Sequence, residues 1–317
     1  MEAPVPASAL IHSATLVSAG IYLVLRFYPI LEFSFFSNFI LIFIGSITAF
    51  LGGFVAASQT DLKKILAYST ISHCGFLIYL CSFGNFKYVL IYLFIHGLFK
   101  AISFLCIGNI IRFSKNYQDI RRMGFFYKYL PLEFFFLNVS LLNLSGLPFL
   151  FGFYSKHFLF LNNDYIYLKE IVQSLIFLSG ITGIFYSFKI IYFCFFDFKK
   201  SKKNIFFEFN DDNIIKNNYF TNSGNLSSIF IFFFIIFSYF ILFFFFYYLN
   251  NLNCDFTDFN IFFNKFQHFF YLNNDFNSLY NFSIFYYFSF IIILILIFIN
   301  LKKKLFIFEI FELFYFF

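Results

Sequence analysis

Apolar residues run through this chain in long unbroken stretches, not in the alternation of a half-buried strand or the single stripe of a surface helix. Crossing the ~30 Å hydrocarbon core of a bilayer takes ~20 apolar residues in a helix. The stretches long enough lie at roughly 7–28, 38–58, 61–83, 87–112, 131–160, 168–196, 226–249 and 280–300. In lipid each segment must satisfy its own backbone hydrogen bonds, so helices are expected. A membrane barrel would alternate apolar and polar residues, and these runs do not. The predicted fold is all-α, a polytopic membrane helix bundle of about eight transmembrane helices.

The fifth stretch is too long for one straight span. Near its middle stands Leu144-Ser145-Gly146-Leu147-Pro148-Phe149-Leu150-Phe151-Gly152. A proline lacks the backbone donor and clashes with the preceding turn, so this helix is expected to be broken. Breaks inside a membrane are tolerated where the freed backbone lines a polar cavity; a plain kink is the alternative.

Composition agrees with a membrane protein. Hydrophobic residues make up 61% of the 317 and charged residues 12%, with 65 Phe. Soluble domains average ~45–50% apolar and ~25% charged, so a soluble enzyme, a disordered chain and a nucleic-acid binder are all excluded. Trp is absent and Phe, Ile, Leu, Tyr, Asn and Lys dominate, the mark of an A+T-rich and plausibly organellar genome. No signal or transit peptide pattern precedes the first apolar run. Cys74, Cys81, Cys106, Cys194 and Cys254 show no CxxC spacing and read as small hydrophobes rather than metal ligands or disulfides.

The net charge is +6, and its placement says more than its size. With eight spans, both termini and every second loop share one face. That face collects Lys63, Lys64, Lys115, Arg121, Arg122, Lys128, four lysines at 199–203, Lys216 and Lys302–Lys304, which is 14 of the 22 basic residues. The positive-inside rule then puts both termini on the cytoplasmic or matrix side. Residues 199–225 and 250–280 read as polar loops, 161–300 as a peripheral set of three spans, and 301–317 as a tail that could begin a lateral helix.

The informative residues are ionisable groups within apolar runs, which cost ~2.5–3.5 kcal/mol on insertion scales and face protein or water. His96 and Lys100 are four residues apart and share one helix face with Tyr92. No intramembrane carboxylate offers itself as a partner for Lys100, which favours a proton relay over a structural ion pair. Lys156 follows the helix break and reads either as an ion-path residue or as a snorkelling lysine. His12 lies among small residues that suit close packing, as a buried structural histidine or a relay member. Lys63 and Lys64 open the third span; one should anchor the interface while Lys63 could turn inward. His73 sits deep in the same span among small polar neighbours. Lys189, near the end of its span, is expected to snorkel.

At these residues the chain resembles a known family. The stretch Met1-Glu2-Ala3-Pro4-Val5-Pro6-Ala7-Ser8-Ala9-Leu10-Ile11-His12-Ser13-Ala14 is similar to a signature of the distal antiporter-like subunits of respiratory complex I, the NADH dehydrogenase subunit 5 family. Asp61-Leu62-Lys63-Lys64-Ile65-Leu66, His96-Gly97-Leu98-Phe99-Lys100-Ala101, Gln118-Asp119-Ile120-Arg121-Arg122-Met123-Gly124 and Ser145-Gly146-Leu147-Pro148 through Phe153-Tyr154-Ser155-Lys156 follow in the family's order. The likeness is strong over 1–160, which it identifies as a half-channel bundle, half of an antiporter-like subunit. It implies a proton path through His12, Lys63, His96, Lys100 and Lys156, driven by quinone reduction elsewhere in the complex. Tyr92 stands where the family often has a second His, His157 where it usually has Asp, and His73 where it usually has Gln; these three are possible path members.

The resemblance further implies a subunit of an NADH:ubiquinone reductase in the mitochondrial inner membrane, with termini on the matrix side. Neither a cofactor nor a metal is expected in this chain. The expected partners are other membrane-arm subunits, a separately encoded amino-terminal half of a split subunit, the neighbouring antiporter-like subunit 4, and lipids such as cardiolipin. Nucleic acid is not among them. Two alternatives stay open: a subunit of a multisubunit cation/proton antiporter, and a structural scaffold with an inactive channel.

Overall fold

The computed structural model describes residues 5–8, 11, 15–31, 33–84, 86–114, 116–124, 126–146, 150–161, 169–196 and 231–240 except 234 and 238. Among them the chain is helical: α1 Val5–Ser8, α2 Leu16–Leu31, α3 Phe35–Ser58, α4 Leu62–Cys81, α5 Phe86–Phe113, α6 Pro131–Ser145, α7 Phe151–Leu161 and α8 Lys169–Ile191, the last extended by a π-helical turn Tyr192–Phe196. Four of these helices are long and apolar enough to cross a membrane, α3, α4, α5 and α8 with its extension. The eighth stretch, the two polar loops and the 301–317 tail lie outside the described residues, as does His12.

Within the first stretch the described helices are α1, Val5–Ser8, and α2, from Leu16. Hydroxyl side chains near its start bond backbone carbonyls, Thr15 to Ile11 at 3.4 Å and Ser18 to Thr15 at 2.9 Å. Such local bonds compete with a regular helix ladder.

The broken span takes the form that the sequence indicates. Helix α6 ends at Ser145, and Gly146 caps it with φ +82° in the left-handed region. A side chain there would be strained, so glycine is the residue that lets the chain turn out of the helix. A second helix, α7, resumes at Phe151.

Helix α3 packs along α4 and α8, and α5 along α6. Small residues set the α3–α4 spacing: a Cβ on Gly45 would lie 2.8 Å from the Tyr79 backbone nitrogen, and one on Gly75 would strike the Ala49 backbone. Without an exclusion of water to drive helices together, membrane bundles depend on such close contact. Two of the sequence motifs also meet at one end of the bundle. Leu62 N donates to Gln118 O at 3.1 Å and Ile120 N to Thr60 O at 3.0 Å. The start of α4, whose first amides would lack partners, is thereby tied to the segment after α5.

Candidate functional site

Helix α4 enters the bundle at Leu62 with two adjacent lysines on different faces. Lys64 is exposed and pairs with Asp61 at 2.9 Å; Lys63 is buried. The sequence left the choice between them open, and the 100° step between neighbours on a helix makes both outcomes hold at once.

His73 lies eleven residues into α4, roughly 16 Å along its axis, and is 1% exposed. Both ring nitrogens are occupied: Nδ1 meets the Tyr92 hydroxyl at 2.7 Å and Nε2 the Tyr186 hydroxyl at 3.2 Å. His96 of α5 packs its ring against His73, with centroids 5.1 Å apart. Its Nε2 is buried and has no hydrogen-bond partner among the described residues. Buried polar atoms are ordinarily paired, often with water, so this nitrogen marks a polar interior.

Lys100 is fully buried near the middle of α5. Its Nζ donates to Ser69 Oγ at 2.5 Å and lies 5.9 Å from the centre of the Tyr186 ring. No carboxylate faces it in these contacts; a hydroxyl and an aromatic face replace the counter-ion, and cation–π attraction strengthens where water is excluded.

Lys156 of α7 is also buried. Its Nζ donates to Ser145 O at 3.2 Å and lies 5.6 Å from the centre of the Phe76 ring, which itself packs 6.0 Å from His73. Phe76 thus separates the lysine at the break from the His73 cluster. His157 falls within α7.

Two expectations need correcting. Lys189 does not snorkel: it is 3% exposed and its Nζ donates to the carbonyls of Ala57 and Gln59, each at 2.7 Å. The end of α3 lies against it, and those carbonyls have no partner within their own helix. The apolar runs also do hold a buried carboxylate. Glu133, in the first turn of α6, is buried and accepts from Asn109 Nδ2 at 3.4 Å. A carboxylate suits the positive end of a helix, and its place two residues after Pro131 was the signal in the sequence. Tyr186 was missed as well, and no single-helix pattern would have found it. Cys74, Cys81, Cys106 and Cys194 are free thiols.

Buried lysines and histidines of α4, α5 and α7 thus lie inside a bundle of apolar, membrane-spanning helices, the build of an antiporter-like membrane subunit. The chain belongs to the family described as NADH:quinone oxidoreductase/Mrp antiporter, TM, which matches residues 1–187. It is similar to NADH-ubiquinone oxidoreductase chain 5 of Paramecium tetraurelia, 68% identical over 206 residues, covering 65% of this chain and 36% of that protein. The protein of the same name from Chondrus crispus is 42% identical over 202 residues, covering 62% of this chain and 30% of that one. The chain therefore spans about a third of the length of the curated relatives that it matches. Among solved structures it resembles the Mrp complex from Dietzia sp. DQ12-45-1b, with 31% identity and a TM-score of 0.56 over 60% of this chain and 22% of that one.

Proposed function

We propose that this chain forms a proton-translocating part of the membrane arm of an NADH:ubiquinone oxidoreductase. The observation that carries the proposal is the line of buried protonatable groups Lys100, Ser69, Tyr186, His73 and Tyr92 in mid-bundle, in which Lys100 meets Ser69 and the Tyr186 ring, and His73 meets both tyrosine hydroxyls. Burying a cation in a membrane costs several kcal/mol, and Lys100 bonds no backbone carbonyl that it could cap, only a hydroxyl within the line. Similarity to relatives named NADH-ubiquinone oxidoreductase chain 5 supports the particular complex. In this reading quinone reduction takes place on other subunits, the partners are the remaining membrane-arm subunits with their lipids, and the membrane is the mitochondrial inner membrane. His12, Lys63 and Lys156 extend the path beyond the central line, with Lys156 toward an exit.

The test is Lys100→Met in the intact complex. The variant is expected to assemble and to take up fewer protons per electron passed from NADH, measured in sealed vesicles. A wild-type ratio would remove Lys100 from the path and the proposal with it.

The family name and the likeness to an Mrp complex favour a second reading, a subunit of a cation/proton antiporter. Sodium-driven proton movement without NADH would single it out.

A further inference from the structure

Tyr186 stands on α8 and touches both Lys100 and His73. The face of its ring lies 5.9 Å from Lys100 Nζ. Its hydroxyl meets His73 Nε2 at 3.2 Å, with the Ser69 and Ser72 side chains beside it. Ser69 Oγ, in turn, accepts from Lys100 Nζ at 2.5 Å. Lys100 and His73 come from different helices, and a phenol from a third helix joins them.

We propose that the Tyr186 hydroxyl is the proton-carrying bridge between Lys100 and His73, and that rotation of the Ser69 hydroxyl gates it. The inference rests on the proton-translocating reading above and names a residue and a step within it. A hydroxyl has one donor and two acceptor sites, so it can take a proton on one side while releasing its own on the other. The Lys100 ammonium gives an N–H proton to Ser69 Oγ. Ser69 passes its own hydroxyl proton to Tyr186, and Tyr186 passes its own to His73 Nε2. One proton moves in all: Lys100 ends as a neutral amine and His73 as an imidazolium, while both hydroxyls end neutral with reversed orientation. His73 can then release its Nδ1 proton toward the Tyr92 hydroxyl, 2.7 Å away.

The gate follows from a bond that points the wrong way for transfer. The Ser69 hydroxyl donates to Leu66 O at 2.8 Å, so its hydrogen must turn toward Tyr186 before the line conducts. Ser72 makes the same kind of bond, to Ser69 O at 2.9 Å. Serine hydroxyls exchange readily between such local acceptors and other partners. Conduction is thereby switched by one torsion, with no helix required to move. The aromatic face beneath Lys100 favours the charged lysine before transfer, so the ring and the hydroxyl of one residue act on successive states of the same proton.

Tyr186→Phe separates the two parts, because it keeps the ring under Lys100 and removes the bridge. In the intact complex it is expected to assemble and to lose the same share of proton uptake per electron as Lys100→Met. A wild-type ratio in Tyr186→Phe alongside a reduced one in Lys100→Met would overturn the bridge and leave the proposed function standing. A wild-type ratio in Lys100→Met would overturn the function itself. Should the Phe variant not assemble, 3-fluorotyrosine at position 186 decides the matter, since it keeps shape and hydroxyl but makes the hydroxyl more acidic. The ionisable groups in contact with it are His73 from α4 and Lys100 from α5. The expected result is a pH profile of proton uptake displaced from wild type; an unchanged profile overturns the bridge.

Discussion

Lys156 Nζ donates a 3.2 Å hydrogen bond to the carbonyl oxygen of Ser145, eleven residues earlier and across the helix break. The last carbonyls of a helix have no partner within it, and its C-terminal end carries partial negative charge. One lysine supplies both the donor and the positive charge. The break at Gly146 is therefore held shut by the residue that the family resemblance assigns to the proton path, and the same side chain serves packing and chemistry.

Substitutions at Lys156 should separate those two services. Lys156→Met leaves the Ser145 carbonyl buried without its charged donor, which costs ~1–3 kcal/mol, so the yield of assembled complex on native gels should fall. Lys156→Arg can restore the cap while holding its proton too tightly to pass it on. It is expected to assemble but to lose proton uptake. An arginine variant with normal uptake would show that Lys156 only caps the helix.

Gly146 should tolerate no side chain. Its φ of +82° disfavours any L-residue, and an added Cβ would lie 2.8 Å from Lys156 Cδ. The backbone term alone is ~1–2 kcal/mol. Gly146→Ala is expected to lower the midpoint of thermal disassembly and to reduce proton uptake, because the lysine must shift. Gly97→Ala is the control: beyond its own helix backbone, no atom of the described residues lies within 4 Å of the added Cβ, so stability should hold or rise slightly. Equal behaviour of the two variants would count against the packing described at the break.

Much of this was legible because it depends on one helix at a time. The glycine–proline break gives the division between α6 and α7, and the four-residue spacing puts His96 and Lys100 on one face. The rest depends on neighbours far along the chain. Lys189 reads as a snorkelling residue until the end of α3, 132 residues earlier, proves to lie against it. Tyr186 is one of 23 tyrosines, and only its meeting with His73, 113 positions away, distinguishes it. A period of 3.6 residues says which side chains share a face; it does not say which faces meet.

Lys189→Met tests the capping of α3. Two buried carbonyls lose a charged donor, at ~1.5–3 kcal/mol for such bonds. The amount of assembled complex should drop clearly. Whatever assembles should still show the wild-type number of protons per electron, since Lys189 bonds the backbone and stands apart from the Tyr186–His73 line. A changed ratio would move Lys189 into the path.

His73 is held between two tyrosine hydroxyls, and its replacements should rank by what they return to each. His73→Leu leaves both hydroxyls without this partner in the bundle interior. At ~1–3 kcal/mol for each unsatisfied group, that change should sharply reduce assembly. His73→Gln offers an oxygen to accept from one tyrosine and an amide N–H to donate to the other, so the α4–α5–α8 contacts should survive. An amide nitrogen has no lone pair free to accept a proton, however, and the imidazole has one. The Gln variant is therefore expected to assemble at near wild-type levels and to move protons more slowly, with the larger part of the loss in rate rather than in yield. Native gels give the yield, and proton uptake with a fluorescent pH indicator gives the rate. A Gln variant as fast as wild type would make His73 a structural link between Tyr92 and Tyr186. The proton would then have to leave Tyr186 by another acceptor.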